Sequence, residues 1–228
     1  LKAIGAVFSI VSDEELIDET GSALAEGKAV GWHQGRMEFG PRSLGARSII
    51  ADPRSSQVQK QLNLKIKYRE SFRPFAPSVL REDASNWFDI DVDSPYMLLV
   101  ADISHDKKLP MNDEQNTLFG IDKLNVARSE IPAVTHIDYS ARIQTVDAET
   151  NPRYHALITR FKALTQCPVL VNTSFNVRGE PIVNTPEDAF RCLMGTELDF
   201  LAIGNCILHK TGQNPALIIR YENEFELD

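Results

Sequence analysis

The chain contains 228 residues, of which 43% are hydrophobic and 25% are charged. This composition is typical of a folded globular protein with one or two domains, and it excludes a disordered tail, a collagen-like rod and a disulfide-stapled miniprotein. The formal charge is −8, but the segment from Arg36 to Arg81 holds ten basic and three acidic residues, which gives it +7 and leaves −15 for the rest. An acidic protein with one basic segment is expected to carry a focused anion site rather than a broad surface for duplex nucleic acid.

Helical and extended patterns alternate along the whole chain. The clearest helix signal is near the start, where Ser12 and Glu15 match a capping box and the apolar residues that follow recur at helical spacing until Gly27. In chain order, the predicted helices cover residues 13–26, 55–64, 151–164 and 185–195. In chain order, the predicted strands cover residues 29–33, 48–51, 75–80, 96–103, 132–137, 142–146, 169–171 and 200–208. This interleaving predicts an α/β fold with a twisted, mixed parallel and antiparallel sheet that is flanked by helices.

Two stretches depart from this alternation. The polar segment from Ser104 to Leu124 offers few core residues, so we expect a mobile loop or a hairpin insertion there. The apolar stretch Ala3–Val11 is far shorter than the roughly 20 residues of a membrane span, and it lacks the flanks of a secretory signal. The protein is therefore expected to be cytoplasmic. Because the sequence begins with Leu1 rather than Met, residues 1–228 are interpreted as a single domain excised from a longer, two-domain protein.

The chain has three cysteines, Cys167, Cys192 and Cys206. They are odd in number, widely spaced and set among apolar neighbours, which favours reduced, buried thiols over a disulfide framework. The C-x-x-C, H-E-x-x-H and H-x-x-H spacings are absent, so no metal site built within this chain is expected. A metal ion is expected only together with a nucleotide.

The usual nucleotide and hydrolase signatures are also missing. Because G-x-x-x-x-G-K-[ST], G-x-G-x-x-G and G-x-S-x-G do not occur, the sequence does not indicate a Walker P-loop enzyme, a dinucleotide-binding domain or a serine hydrolase. Between Gly35 and Ser48, however, glycines permit a close approach of the backbone, and Arg36, Arg42 and Arg47 can bind phosphate oxygens in pairs. This combination favours a polyanionic ligand. The alternative is an ordinary surface loop whose arginines form salt bridges.

Two further segments carry polar groups in ordered positions. An extended backbone after Ile66 would place Lys67, Arg69, Ser71 and Arg73 on one face, because side chains alternate along a strand. Residues 172–176 directly follow a predicted buried strand, where ligand-binding residues of α/β folds usually lie. Their Asn and Ser side chains could orient a small planar amide. The alternative is a turn that merely ends the strand.

Together these segments resemble the C-terminal region of the O-carbamoyltransferases that modify nodulation factors and antibiotics. The resemblance covers nearly all of the chain. It rests on residues 35–48, on Lys67-Tyr68-Arg69 with the following 71–77, and on 172–176 with the downstream 179–183. In that family this region is a YrdC-like domain, and Lys67-x-Arg69 with Ser174-x-Asn176 is similar to the K-x-R and S-x-N signature of folds that bind ATP and form acyl adenylates. Each tripeptide alone is unspecific, whereas the ordered set is highly specific.

The resemblance implies a first half-reaction in which carbamoyl phosphate and ATP yield carbamoyladenylate, with release of phosphate and pyrophosphate. It implies ATP with Mg²⁺ for this region, and it places the iron site, the acceptor pocket and transfer to a hydroxyl in an N-terminal kinase-like lobe outside these 228 residues. Attack of a carbamate oxygen on the α-phosphorus needs charge neutralisation and in-line positioning, so no general base is assigned. The predicted catalytic residues are Arg42, Lys67, Arg69 and Ser174. The predicted substrate- and nucleotide-binding residues are Arg36, Arg47, Arg73, Ser140, Arg142, Asn172 and Asn176.

The predicted partners are carbamoyl phosphate, ATP and the N-terminal lobe. Nucleic acid and membranes are not expected as partners, and a homodimer stays open. Two other functional classes also stay open, an RNA-binding YrdC-like module and a domain that binds a nucleotide or small anion without turnover. RNA binding would weaken steeply with salt because counterions are released, whereas a small-ligand site would depend on Ser174 and Asn176 as much as on its arginines.

Overall fold

The computed structural model describes residues 1–70, 73–124 and 126–219, and its central feature is an eight-stranded sheet. The strands are β1 (Ser9–Ile10), β2 (Val30–His33), β3 (Arg47–Ala51), β4 (Ala76–Leu80), β5 (Val100–Asp102), β6 (Ser140–Arg142), β7 (Gln144–Val146), β8 (Val169–Ser174), β9 (Phe200–Ile203) and β10 (Cys206–His209). The order across the large sheet is β1-β10-β9-β2-β3-β8-β4-β7, and β5 pairs with β6 separately. The pairs β2–β9 and β4–β7 are parallel and the others are antiparallel. The predicted α/β class with a mixed sheet is confirmed.

Helices flank this sheet. They are α1 (Asp13–Ala25), α2 (Ser56–Gln61), α3 (Ala84–Trp87), α4 (Asp113–Thr117), α5 (Gly120–Leu124), α6 (Pro152–Thr165) and α7 (Pro186–Gly195). The predicted capping box is present at α1, because Ser12 accepts from the backbone N–H of Glu15 while the Glu15 carboxylate accepts from that of Ser12. The helices α1 and α6 pack against each other, α6 contacts β4 and β8, and α7 contacts β2 and β9. Every helix of the described residues is too short or too polar to cross a membrane.

Two predicted strands turn out to be pairs of shorter strands. The run over 200–208 is a hairpin in which β9 and β10 pair across a turn at Gly204, whose φ is +53°. The apolar pattern continues on both sides of that two-residue turn, so the sequence alone does not show the break. In the same way, the prediction over 142–146 is interrupted at Ile143, which separates β6, paired with β5, from β7, paired with β4.

Other predictions at the periphery of the fold were wrong. Of the strand predicted over 96–103, only Val100–Asp102 forms a strand, and Tyr96 and Leu98 are exposed. Within 132–137, residues Pro132–Val134 form a 3-10 turn, because a proline cannot donate to a strand ladder. The segment 104–124 contains short helical turns rather than a hairpin. Its mobility stays a prediction.

The segment after α2 also differs from expectation. The helix continues as a π-helical turn over Leu62–Ile66, and Lys67 has helical backbone angles while Tyr68 has a φ of +48°. Lys67 and Arg69 are therefore not two steps along an extended strand, and the prediction of a shared strand face was wrong for them. Ser71 lies outside the described residues.

All three cysteines are free thiols, as predicted. Cys167 and Cys192 are buried, whereas Cys206 is only half-buried. Burial raises the pKa of both Cys167 and Cys192 to about 12. These two thiols are therefore protonated near neutral pH and have the character of core residues rather than nucleophiles.

Gly45 lies where the loop between β2 and β3 packs against the core. Its φ is +102°, and an added Cβ would lie 2.8 Å from Cγ of the Tyr154 ring. The backbone carbonyl of Gly45 also accepts a hydrogen bond of 3.0 Å from the indole Nε1 of the fully buried Trp32. A side chain at this position would collide with the Tyr154 ring and force an unfavourable backbone angle, so only glycine fits.

We therefore expect Gly45→Ala to lower the free energy of unfolding by about 2–4 kcal/mol, through overpacking and backbone strain together. Urea denaturation of the purified chain measures this change. Gly212→Ala is the matched control, because no atom lies within 4 Å of a Cβ added there and its φ is not positive. A loss of stability in Gly45→Ala no larger than that in Gly212→Ala would contradict this account of the loop.

Candidate functional site

A cleft of about 160 Å³, open to solvent, lies at the carboxyl end of β8. Its lining residues are Pro41, Arg42, Ser43, Arg69, Pro74, Phe75, Ala76, Met97, Arg142, Asn172, Thr173 and Ser174. The described lining includes three guanidinium groups and no carboxylate. We call this feature the cationic cleft. Its charge is suited to a ligand with several negative charges.

The sheet sets the position of one wall of the cleft. Strand β8 lies between β3 and β4, so Asn172 pairs with Ile50 on one side and Ala76 on the other, and Ser174 pairs with Ser48. The strand is buried over most of its length, which fixes the backbone that carries its polar end. The sequence placed ligand-binding groups at this strand end, and the structure does bring Asn172 and Ser174 to the cleft.

Lys67 ties the segment after α2 to the end of β8. Its Nζ donates to the carbonyl oxygen of Ser174, to Ser174 Oγ at 3.2 Å, to the carbonyl of Asn176 at 2.8 Å and to Asn176 Oδ1 at 2.7 Å. Ser174 Oγ in turn donates to Asn176 Oδ1 at 2.7 Å, and Asn176 Nδ2 donates to the carbonyl of Glu180 at 2.6 Å. The K-x-R and S-x-N segments, more than 100 residues apart, are thus joined at one amine.

Arg69 is held in place from two directions. Its Nε donates to Asn63 Oδ1 at 2.6 Å, and its guanidinium carbon lies 4.8 Å from the centre of the Phe75 ring, a cation–π contact. Burial, together with the neighbouring Arg73, lowers the pKa of Arg69 to about 10, so the guanidinium remains charged at neutral pH. The pKa of Arg142 is also lowered, by burial and by repulsion from Arg42. Such crowding of cations favours the binding of an anion between them.

A polar network surrounds Asn172 beneath the cleft. Asn172 Nδ2 donates to the carbonyl of Ser43 at 3.1 Å, to Ser78 Oγ at 3.0 Å and to Gln144 Oε1 at 2.8 Å. Asn172 Oδ1 and Ser43 Oγ, in contrast, are buried without a hydrogen-bond partner among the described residues. A buried polar group left without a partner costs about 1–3 kcal/mol. These two oxygens therefore reduce the stability of the free protein.

Glu38 and Arg47 organise the loop that carries Arg42 and Ser43. Glu38 Oε1 accepts from the backbone N–H groups of Leu44 at 2.6 Å and Ala46 at 2.8 Å. Arg47 is 4% exposed, and its guanidinium donates to the carbonyls of Gln34, Gly35, Ala46 and Asn184. Arg47, predicted to bind nucleotide, lies outside the lining of the cleft and bridges backbone segments instead.

Three other predicted binding residues also lie outside the described lining of the cleft. Arg36 is exposed beside the amino end of α6. Arg73 is exposed, its guanidinium lies 3.9 Å from Glu70, and its carbonyl accepts from Asn63. Ser140 is buried in β6, where its Oγ donates to Asp138 at 2.7 Å. The cleft therefore brings together Arg42, Arg69, Arg142, Asn172 and Ser174 from the predicted set, with Lys67 and Asn176 behind Ser174.

Sequence reasoning missed several residues that shape the cleft. Ser43 lies within residues 35–48, the segment that carries Arg36, Arg42 and Arg47, but a single serine gave no signal of its own. Asn63 and Phe75, which hold Arg69, look like helix and strand residues in the sequence. Met97 lines the cleft with a φ of +55°, a conformation rare for a side chain of this size. Among the described residues there is no group of three or more His, Cys, Asp or Glu side chains that could hold a metal ion.

The structure is thus an α/β domain whose cleft is lined by three guanidinium groups. The sequence profile of the family described as carbamoyltransferase C-terminus matches residues 21–210. The chain belongs to this family.

Similar proteins include sll1178 of Synechocystis sp., 60% identical over 99% of this chain and 37% of its own length. The nodulation protein NolO of Bradyrhizobium diazoefficiens is 39% identical over 92% of this chain and 35% of its own length. The 3'-hydroxymethylcephem-O-carbamoyltransferase of Amycolatopsis lactamdurans is 39% identical over 75% of this chain and 28% of its own length. The chain thus spans about a third of the length of these relatives.

Among solved structures, full-length HypF in a phosphate- and nucleotide-bound form is similar, with a TM-score of 0.48 and 17% identity over 94% of this chain and 23% of its own chain. A doubly substituted Sua5 of P. abyssi gives a TM-score of 0.48 and 12% identity, over 83% of this chain and 50% of its own.

The buried amine of Lys67 makes stability depend on pH. Burial lowers its pKa from 10.5 in the unfolded chain to about 7, with the nearby Arg69 acting in the same direction and the Cys192 and Glu180 acidic groups opposing. Above pH 7 the unfolded chain therefore binds a proton that the folded chain has released, and the free energy of unfolding rises with pH. Cys192 acts in the opposite direction once unfolded thiols ionise, above about pH 8.5.

Between pH 7.0 and 8.5 we expect Lys67 to increase the free energy of unfolding by about 1.5 kcal/mol. Urea denaturation of the wild-type chain and of Lys67→Met at both pH values isolates this contribution, since every other titrating group is common to the two proteins. The wild-type chain should gain stability over this interval relative to the variant. Parallel pH dependence of the two proteins would contradict a lowered pKa at Lys67.

Proposed function

We propose that this domain catalyses the ATP-dependent activation of a carbamoyl group. In this reaction carbamoyl phosphate is hydrolysed to carbamate and phosphate, and a carbamate oxygen then attacks the α-phosphorus of ATP. The bond from the α-phosphorus to the bridging oxygen breaks, and the products are carbamoyladenylate and pyrophosphate. Transfer of the carbamoyl group to a hydroxyl would be the second half-reaction, in the part of the protein that accompanies this region in its relatives.

The observation that carries the proposal is the concentration of positive charge in the cationic cleft. Arg42, Arg69 and Arg142 line a cleft of about 160 Å³ whose described lining has no carboxylate. Guanidinium groups bind phosphate oxygens through paired hydrogen bonds and keep their charge. Family membership adds support, because one relative is by name an O-carbamoyltransferase.

The residues around the cleft have different roles in this proposal. The three arginines neutralise the charge that develops as pyrophosphate departs, and Mg²⁺ would arrive with the nucleotide. Lys67 positions Ser174 and Asn176, since all the hydrogen bonds of its amine go to those two residues. No general base is required, because carbamate is already an anion.

The test is carbamoyl-phosphate-dependent exchange of labelled pyrophosphate into ATP. Arg69→Gln and Arg142→Gln each remove charge-assisted hydrogen bonds to phosphate, so we expect each to lower the specific rate of exchange by about 10- to 100-fold. Ser174→Ala and Lys67→Ala are expected to abolish detectable exchange. Lys60→Gln is the matched control, because it removes an exposed positive charge from the same basic segment outside the described lining of the cleft.

The same assay separates the proposal from its alternatives. Tight ATP binding without exchange would indicate a nucleotide-binding domain without turnover in this form. RNA binding that weakens steeply with salt and does not respond to Ser174→Ala would favour a nucleic-acid module. Equal loss of exchange in Lys60→Gln and Arg69→Gln would contradict the assignment of the cleft.

A further inference from the structure

Two buried oxygens in the cationic cleft have unused hydrogen-bonding capacity. Asn172 Oδ1 and Ser43 Oγ have no partner among the described residues, although their residues are only 1% and 3% exposed. Both residues line the cleft, and they are neighbours, because Asn172 Nδ2 donates to the carbonyl of Ser43. Buried polar atoms in native proteins are nearly always hydrogen-bonded, so a pair without partners beside a ligand cleft requires an explanation.

The orientation of the Asn172 amide is fixed by its surroundings. Gln144 Nε2 donates to the carbonyl of Leu44 at 2.8 Å, which directs Gln144 Oε1 toward Asn172. With the amide reversed, Asn172 Oδ1 would face both Gln144 Oε1 and the carbonyl of Ser43, two acceptors that cannot donate to it. Asn172 therefore presents an acceptor that can be satisfied only by an N–H or O–H group from elsewhere.

We propose that Asn172 Oδ1 and Ser43 Oγ form an acceptor subsite for the amino group of the carbamoyl substrate. This inference rests on the proposed function and adds the basis of its selectivity. Carbamate and acetate have the same shape and charge, so the guanidinium groups cannot distinguish them, but only carbamate has N–H donors where acetate has a methyl group. A site built to hydrogen-bond a polar group rejects the isostere that lacks it, because its buried acceptors then stay unsatisfied.

In this proposal, access of the ligand to these oxygens requires the segment 40–43 to move outward. Neither oxygen is reached by solvent in the arrangement described here. Pro41 and Arg42 are exposed, and Gly40 has a φ of +147° with no atom within 4 Å of an added Cβ, so the segment has room on its outer side. Arg42 is carried on the same segment, which couples binding of the anionic oxygens to access to the amino-group subsite.

The experiment uses two nonhydrolysable analogues of an acyl adenylate, 5′-O-(N-carbamoylsulfamoyl)adenosine and 5′-O-(N-acetylsulfamoyl)adenosine. The two analogues differ at a single group, which is NH₂ in the carbamoyl analogue and CH₃ in the acetyl analogue. Isothermal titration calorimetry gives the ratio of their dissociation constants. We expect wild-type protein to bind the carbamoyl analogue at least about tenfold more tightly, and Ser43→Ala and Asn172→Ala to reduce this preference to about threefold or less.

Ser43→Ala keeps the test decisive if Asn172→Ala fails to fold. The two N–H bonds of Asn172 Nδ2 are shared among three acceptors within the protein, whereas the Ser43 hydroxyl has no hydrogen-bond partner among the described residues. Ser85→Ala, at an exposed serine outside the described lining of the cleft, is the control and should retain the wild-type ratio. An unchanged ratio in Ser43→Ala would reject the subsite.

The failure of this inference is distinct from that of the proposed function. Equal affinity of the wild-type protein for both analogues, with both bound more tightly than adenosine, would overturn the subsite and leave an adenylate-binding cleft. If neither analogue binds more tightly than adenosine, the proposed function fails and the subsite with it.

Discussion

The hydrogen bonds of the buried Lys67 amine determine the geometry of the cationic cleft. They connect the end of the π-helical turn after α2 to the end of β8. Arg69 follows two residues later in the chain, so the hydrogen bonds that hold Lys67 in place also limit the position of Arg69 in the wall of the cleft. Within the part of the chain that the structure describes, the amine has no carboxylate partner, and the oxygens that accept its hydrogen bonds belong to Ser174 and Asn176. Burial of such a group is unfavourable, so these hydrogen bonds must offset part of its desolvation.

The basic segment of the sequence divides between structural and ligand-facing positive charges. Arg54 pairs with Asp52 at 2.6 Å, and Arg47 bonds to backbone carbonyls. Glu38, the acidic residue within the arginine-rich loop, accepts from backbone N–H groups and so brings no carboxylate into the described lining of the cleft. The charge that remains to act on a ligand is therefore concentrated at Arg42, Arg69 and Arg142. Field strength in the cleft depends on this division rather than on the net charge of the chain.

Local signals predicted most of the fold and the segments that form the cleft. N-capping residues predicted the starts of α1, α6 and α7, because a cap depends only on residues that are neighbours in the sequence. The hairpin of β9 and β10 was missed since a two-residue turn leaves the apolar pattern intact. Which arginine faces the cleft was not predictable for a different reason. Arg42 and Arg47 are the same residue type in the same glycine-rich surroundings, but Arg47 is held inward by backbone carbonyls, one of which belongs to the distant Asn184.

Two kinds of unfavourable feature occur at the cleft, and they differ in what they say about a ligand. Tyr68 and Met97 are two of only four residues other than glycine with positive φ among those described, and both adjoin the cleft: Tyr68 lies between Lys67 and Arg69, and Met97 is in the lining. The unpartnered oxygens of Ser43 and Asn172 lie there too. Each feature reduces the stability of the free protein, and a bound ligand can offset only those it contacts. Strain in the backbone holds side chains in position, whereas an unpartnered oxygen is relieved by a donor. An unpartnered oxygen therefore carries information about the chemistry of the ligand, whereas backbone strain does not.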